Sequence, residues 1–283
     1  MKIAVEENIM IKNEICVADN FKSPYSATVI DKIINAGMTI SDKNEAEVIL
    51  GIDVDINSNL IYIKPTYGTV SRFGVVANVS SVDQIGVYAK NIDDGFKVLS
   101  VIAGHDKNDG TTYPTEKYEY NAGIFNPADL KIIESPDFKL KEYLKPVYMI
   151  ISAAEFSGNT ARFDGLKFGY RTENFRDLND MVINSRSESF TTETKLKILL
   201  GTYVLSEKQF EEYYLKATKI RRLIKQEFDR IFTQADAVIM PASCEKAIAL
   251  ANLTGCPAVI INGKIIIAKE FGENKLFAVG KKF

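Results

Sequence analysis

The chain contains no tryptophan, a single histidine and only three cysteines, and each scarcity closes off a class of chemistry. With His105 alone, any scheme in which histidine activates a serine or several histidines hold a metal rests on one side chain. Cys16, Cys244 and Cys256 are too few and too unevenly spaced for a disulfide framework or a zinc site, so free, buried thiols are expected. No uncharged apolar window approaches the roughly 20 residues that a bilayer span needs. The acidic N-terminus, Met1 to Glu7, is too short in apolar run for a signal peptide, and a soluble, cytoplasmic chain is expected. Charge of either sign is also not in excess: 35 basic residues meet 37 acidic ones, net −2. Such a balance gives the surface no electrostatic reason to bind nucleic acid directly. A Gly-rich phosphate loop, a Gly-x-Ser-x-Gly elbow and a paired-carboxylate motif are absent, so neither a cofactor nor a metal is expected.

What is there reads as α/β. At 283 residues, 46% of them apolar, the chain is long enough to bury a sizeable core. Ile3-Ala4-Val5, Val48 to Ile52, Leu60 to Ile63 and Ala237 to Met240 are compact apolar strands. Val29, Ile30, Ile33 and Ile34 recur at helical spacing, with Gly37 placed to end that helix. Asn91 to Ala103 and Pro146 to Phe163 carry further helical stripes. The spacing predicts one long helix from Glu207 to about Phe232, opened by a capping box of Ser206 and Gln209. Its apolar stripe runs from Phe210 through Ile220, Leu223 and Ile224 to Phe232. The other face holds Lys216, Lys219, Arg222, Lys225 and Arg230 and is read as solvated. Val259-Ile260-Ile261 and Ile265-Ile266-Ile267 flank Asn262-Gly263, the signature of a type I′ hairpin. Tyr113 to Pro136, rich in Tyr, Pro, Asn and Gly, reads as irregular. Strands interleaved with helices over positions 1–283 imply a single domain with a sheet covered by helices.

Periodicity does not generate the string Lys64-Pro65-Thr66-Tyr67-Gly68-Thr69-Val70-Ser71-Arg72-Phe73-Gly74, continued by Ser80-Ser81-Val82-Asp83-Gln84-Ile85-Gly86 and then an apolar helix. This stretch resembles the segment after the catalytic loop in the amidase-signature family. Within that family it is most similar to the A subunits of tRNA-dependent amidotransferases. Further blocks follow in collinear order: Ile102 to Asp106, Arg162 to Gly165, Ser185 to Glu188, Leu200 to Ser206 and Leu253 to Pro257. The resemblance implies a mixed β-sheet covered by helices, here reduced by internal deletions.

It also implies a Ser–cis-Ser–Lys triad, in which a neutral lysine is the base and backbone N–H groups hold the oxyanion. The family's lysine motif corresponds here to Val5-Glu6-Glu7-Asn8-Ile9, so Glu6 stands in the lysine's place. The loops that carry the family's serines belong between Gly51 and Lys64. Only Ile52 to Ile63 fill that gap, and their one serine, Ser58, reads as a turn residue. No catalytic residue is therefore assigned. A vestigial ligand pocket is expected around Arg72, Tyr170 and Lys197. Lys197 stands where the resemblance puts a carboxylate-reading arginine, keeping the charge without the bidentate fork. The segment with the aspartate that pairs with an α-amino group is missing after Ala242. A shortening around Asn121 to Pro136 removes a peripheral helix and strand.

Set against blander roles, His105 reads as structural and Asp83-Gln84 as packing and hydrogen-bonding residues. Arg72 is placed in a buried ion pair ahead of a ligand site, and Lys64, before Pro65, takes an extended or turn position. Three functions stay open: a catalytically degenerate subunit that binds and assembles, a working amidase with unusual machinery, and a sensor of small amino acids or amides. The expected partners are the B and C subunits of a tRNA amidotransferase or a second copy of the chain. Loss of sheet segments leaves apolar edges that need cover.

Overall fold

A computed structural model describes residues 1–16, 22–52, 54–55, 58–242 and 245–283. Cys244 lies outside the described residues, as do Asp53, Ile56 and Asn57 of the short connection before Lys64. The strands are β1 (Lys2–Val5), β2 (Thr39–Ile40), β3 (Val48–Gly51), β4 (Ile61–Lys64), β5 (Gly86–Ala89), β6 (Ile132–Glu134), β7 (Ala237–Pro241), β8 (Ala258–Ile261) and β9 (Lys264–Ala268). They form one nine-stranded mixed sheet in the order β2-β1-β3-β5-β4-β8-β9-β7-β6. The outer pairs β1–β2, β1–β3 and β6–β7 are parallel, and the five central pairings from β3 to β7 are antiparallel.

The helices are α1 (Thr28–Asn35), α2 (Ile92–Ile102), α3 (Leu144–Thr160), α4 (Leu178–Ser189), α5 (Thr192–Leu205), α6 (Lys216–Ile231), α7 (Glu245–Thr254) and α8 (Glu273–Gly280). Successive strand residues point to opposite faces, and both faces here are apolar. Ile63, Val87, Val259 and Ile266 enter a core with residues of α1, α2 and α8. Tyr62, Tyr88, Ile260 and Ile267 enter a second core with residues of α3, α6 and α7. Burial on both faces is the reason these strands read as unbroken apolar runs. The hairpin also forms as read, with Asn262 at φ +47 and Gly263 at φ +72.

Five expectations change. Gly86 to Ala89, expected to lead directly into a helix, is a central strand between β3 and β4. The segment around Asn121 to Pro136 retains β6 at the sheet edge and a short 3₁₀ turn, Ala122–Ile124. The long helix is composite: a π-helical segment, Phe210–Leu215, precedes α6. Its capping box does not form, because Ser206 ends α5 and its hydroxyl donates to the Tyr203 carbonyl at 2.7 Å. Leu223, assigned to the apolar stripe, is half exposed. No helix among the described residues is long and apolar enough to cross a membrane.

Candidate functional site

β4 ends on Lys64, and the chain then folds over the end of the sheet as a tight, hydrogen-bonded loop. Gly68 and Gly74 sit at φ +84 and +82. A Cβ on Gly68 would lie 2.7 Å from the Thr111 carbonyl oxygen, and one on Gly74 would lie 2.4 Å from Ala27 Cα. Only glycine fits either place, which accounts for their fixed spacing. The Gly68 N–H donates to Gln84 Oε1 at 3.0 Å, and Asp83 Oδ2 accepts from the Asn78 and Val79 N–H groups at 2.8 and 2.7 Å. Asp83 and Gln84 thus hold the loop that carries them.

Beneath this loop is a cavity of about 100 Å³, lined by Tyr62, Lys64, Asp83, Gln84, Lys197 and Asn252 among others. No serine, threonine or cysteine is among its described lining residues. Lys64 is 4% exposed, and its Nζ donates to the Cys256 carbonyl at 3.0 Å and the Pro65 carbonyl at 3.4 Å. Burial lowers its pKa to about 8, against the opposing pull of Cys256 and Glu273. Glu273 is itself buried, which raises its pKa, and it accepts from the Thr66 N–H at 2.8 Å. The Lys197 ammonium lies over the Phe156 ring, 4.3 Å from its centroid.

Arg72 belongs to a neighbouring cavity of about 190 Å³ that shares Asp83 with the first. Its guanidinium donates to the Ser80 carbonyl and to Thr111 Oγ1, stacks over Tyr67, and lies 3.9 Å from Asp109. Tyr170 lines neither cavity. Its hydroxyl donates to Glu188 Oε2 of α4 at 2.8 Å. The three residues of the expected pocket are therefore distributed: Arg72 and Lys197 lie in adjoining cavities, and Tyr170 in the contact between its loop and α4. Arg186 on the same helix donates to the Thr160 and Phe163 carbonyls, joining two of the collinear blocks.

Glu6 lies at the end of β1, where its Oε2 accepts from the Ile52 N–H at 2.9 Å. A Cβ on Gly51 would stand 2.2 Å from Glu6 Oε1, so the carboxylate packs directly on the end of β3. Glu6 is not among the cavity's lining residues. Ser58 closes a turn, its Oγ accepting from the Leu60 N–H at 3.1 Å. His105 Nδ1 lies 3.1 Å from Thr112 Oγ1 in the loop after α2. No cluster of metal-ligating side chains occurs among the described residues.

Arg221 belongs to no motif and does not stand out in the sequence. From α6 it donates to the Leu253 carbonyl (2.8 Å), to Ser81 Oγ (2.7 Å) and to the Ser81 carbonyl (2.9 Å). The signal that could have found it is periodicity: positions 217, 221, 224 and 228 share one helix face, and Ala217, Ile224 and Phe228 are buried. An arginine on that face calls for an internal acceptor.

The sequence profile of the Amidase family matches residues 57–133 and 125–270. The A subunit of the glutamyl-tRNA(Gln) amidotransferase from Carboxydothermus hydrogenoformans is 32% identical over 324 aligned positions, covering 85% of this chain and 67% of the relative. The alignment is longer than this 283-residue chain, so the relative carries internal segments with no counterpart here. Among solved structures, the A subunit of the Thermotoga maritima glutamyl-tRNA(Gln) amidotransferase superposes with a TM-score of 0.67 at 21% identity, covering 99% of this chain and 82% of that one. The peptide amidase of Stenotrophomonas maltophilia gives 0.75 at 16% identity over 100% and 82%. These last two likenesses speak for the fold. The profile match and the identity with the Carboxydothermus protein establish that this chain belongs to the amidase family, in a shortened form.

Proposed function

We propose that the chain is a catalytically degenerate relative of the amidotransferase A subunits, acting through binding and assembly. The observation that carries this reading is the cavity at Lys64, whose described lining holds no serine, threonine or cysteine, the hydroxyls there being the phenols of Tyr62 and Tyr148. Amide hydrolysis without a positioned nucleophile, base and oxyanion donors meets nearly the full uncatalysed barrier. Lys64 has the lowered pKa a base needs, but its protons are directed at two carbonyls. Glu6 is engaged by the Ile52 N–H. The related A subunits are by name parts of a larger amidotransferase, so the partner proposed is another subunit of such an assembly, or a second copy.

The test is ammonia release from glutamine and simple amides by the purified chain, beside its Glu6→Ala and Lys64→Met variants. All three are expected to match the buffer blank. Turnover by the wild-type chain that either substitution abolishes would overturn the reading.

One observation favours a second role. Lys64 and Lys197 line the same polar cavity with Asn78, Gln84 and Asn252, a lining that suits a small polar ligand such as an amino acid or amide. Thermal-shift screening across these compounds tests it: a stabilisation lost in Lys197→Met supports a sensor, and uniform melting refutes it.

A further inference from the structure

The loop after β4, the C-terminal end of α7 and the turn after β9 border a cavity of about 310 Å³. Tyr67, Ser81, Tyr113, Arg221 and Glu270 are among its lining residues, and it shares none with the cavities at Lys64 and Arg72. Tyr113 is 41% exposed and meets Phe271, 50% exposed, edge to face with ring centroids 4.9 Å apart. Phe271 is held at φ +62, a region that bulky side chains rarely occupy, and its N–H donates to Thr66 Oγ1 at 2.9 Å. An exposed ring kept in a strained conformation, next in sequence to a cavity residue, points to a contact outside the fold. The charges of the cavity are already matched within the protein. Arg221 faces the Glu155 carboxylate, and Glu270 lies 3.4 Å from Lys225. Hydrogen-bonding capacity is left over. The Ser81 hydroxyl accepts from Arg221, and its own proton has no acceptor among the described residues. Lys225 is the one ion or hydrogen-bond partner of the Glu270 carboxylate among those residues, which leaves lone pairs on both oxygens.

We propose that this cavity binds a purine nucleoside by its base, guanosine ahead of adenosine. The site is separate from the cavity at Lys64 and does not rest on the proposed function. Three features select the ligand class. First, Tyr113 and Phe271 offer ring surface on which a flat base can stack. Second, the matched charges favour a neutral molecule: an anion would meet the Glu270 carboxylate, and a cation would meet Arg221 and Lys225. Third, the unfilled acceptor is a carboxylate and the unfilled donor a hydroxyl. Guanine presents N1–H and N2–H side by side, a pair that one carboxylate accepts, with O6 next to them for the Ser81 hydroxyl. Adenine in a nucleoside has a single exocyclic donor group, the N6 amine, and no ring N–H beside it.

The test is equilibrium dialysis of the full chain against radiolabelled guanosine, adenosine and guanosine 5′-monophosphate. Guanosine is expected to bind at least tenfold tighter than adenosine, and the added phosphate should gain less than threefold. Glu270→Gln should weaken guanosine at least tenfold and adenosine less than twofold, a split that a merely structural role would not produce. Tyr113→Ala should weaken both nucleosides about tenfold, whereas Tyr113→Phe, which keeps the ring, should retain them. Circular dichroism of each variant checks that it is folded. Binding of neither nucleoside, equal affinity for the two, a tenfold or greater preference for the monophosphate, or guanosine binding indifferent to Glu270→Gln or to Tyr113→Ala overturns the proposal. None of these readouts involves turnover or the cavity at Lys64, so the proposed function stands or falls by its own assays.

Discussion

The Ser71 hydroxyl donates to Asp106 Oδ2 at 2.6 Å, joining the loop after β4 to the loop after α2. Thr28, at the start of α1, donates to the same oxygen at 2.6 Å, and the Asn108 N–H donates to Oδ1 at 2.9 Å. One buried carboxylate therefore gathers three segments that are distant in sequence.

Asp106→Asn is expected to destabilise the fold by about 3 kcal/mol, because hydroxyl bonds to a charged acceptor are lost and an amide N–H₂ faces two donors. Burial raises the Asp106 pKa, but the bonds from Ser71, Thr28 and Asn108, with the charge of Lys32, outweigh it and hold it below the ordinary 3.8. A depressed carboxylate stabilises the fold above its unfolded pKa and loses that stabilisation as pH falls through the folded value. Urea titrations below about pH 4 should show the wild type losing stability more steeply than the variant.

Lys64 works in the opposite sense. Its folded pKa of about 8 lies below the ordinary 10.5, so between those values the unfolded chain binds the extra proton. Stability should therefore rise with pH across that window, by on the order of 3 kcal/mol. Below pH 8 both states are protonated and the contribution is flat. Lys64→Met should abolish the rise, as read by denaturant midpoints from pH 7 to 10.5.

Gly201→Ala places a methyl group against backbone of α3, which has no side-chain freedom to yield. A loss of about 3 kcal/mol is expected from overpacking. Thermal unfolding measures it, with Gly110→Ala, which meets nothing within 4 Å, as the reference.

Arg221→Lys keeps the charge but replaces a three-pronged donor with a single ammonium. It should cost about 2 kcal/mol by loosening α6 from Ser81 and from the end of α7. Arg222→Lys, one residue away on the exposed face, should be neutral within about 0.5 kcal/mol.

Much of the sheet was legible because its strands are buried on both faces, so β1, β3, β4, β7 and the β8–β9 hairpin appear as compact apolar runs. β5 was not, since its two strand formers, Val87 and Tyr88, are bracketed by Gly86 and Ala89 in too short a run to read, and it is placed by β3 and β4 on either side. β6 was hidden in a Pro- and Asn-rich stretch at the sheet edge. The site was legible as residue types: Lys64, Asp83, Gln84, Arg72 and Lys197 all stood out. Their grouping was not, and Tyr170 lies with Glu188 apart from the two cavities.

Helix spacing, the Asn262-Gly263 turn, family membership and the lack of serines between Gly51 and Lys64 except Ser58 are properties of short stretches, and the amino-acid order alone determines them. The acceptor of the Lys64 ammonium is the carbonyl of Cys256, 192 residues away, and α3 covers one face of α5 while Leu199 stays in solvent. Those outcomes were decided only by the tertiary structure. Burial and hydrogen-bond partnership depend on which distant segments return to the same place, and periodicity within one segment carries no record of that.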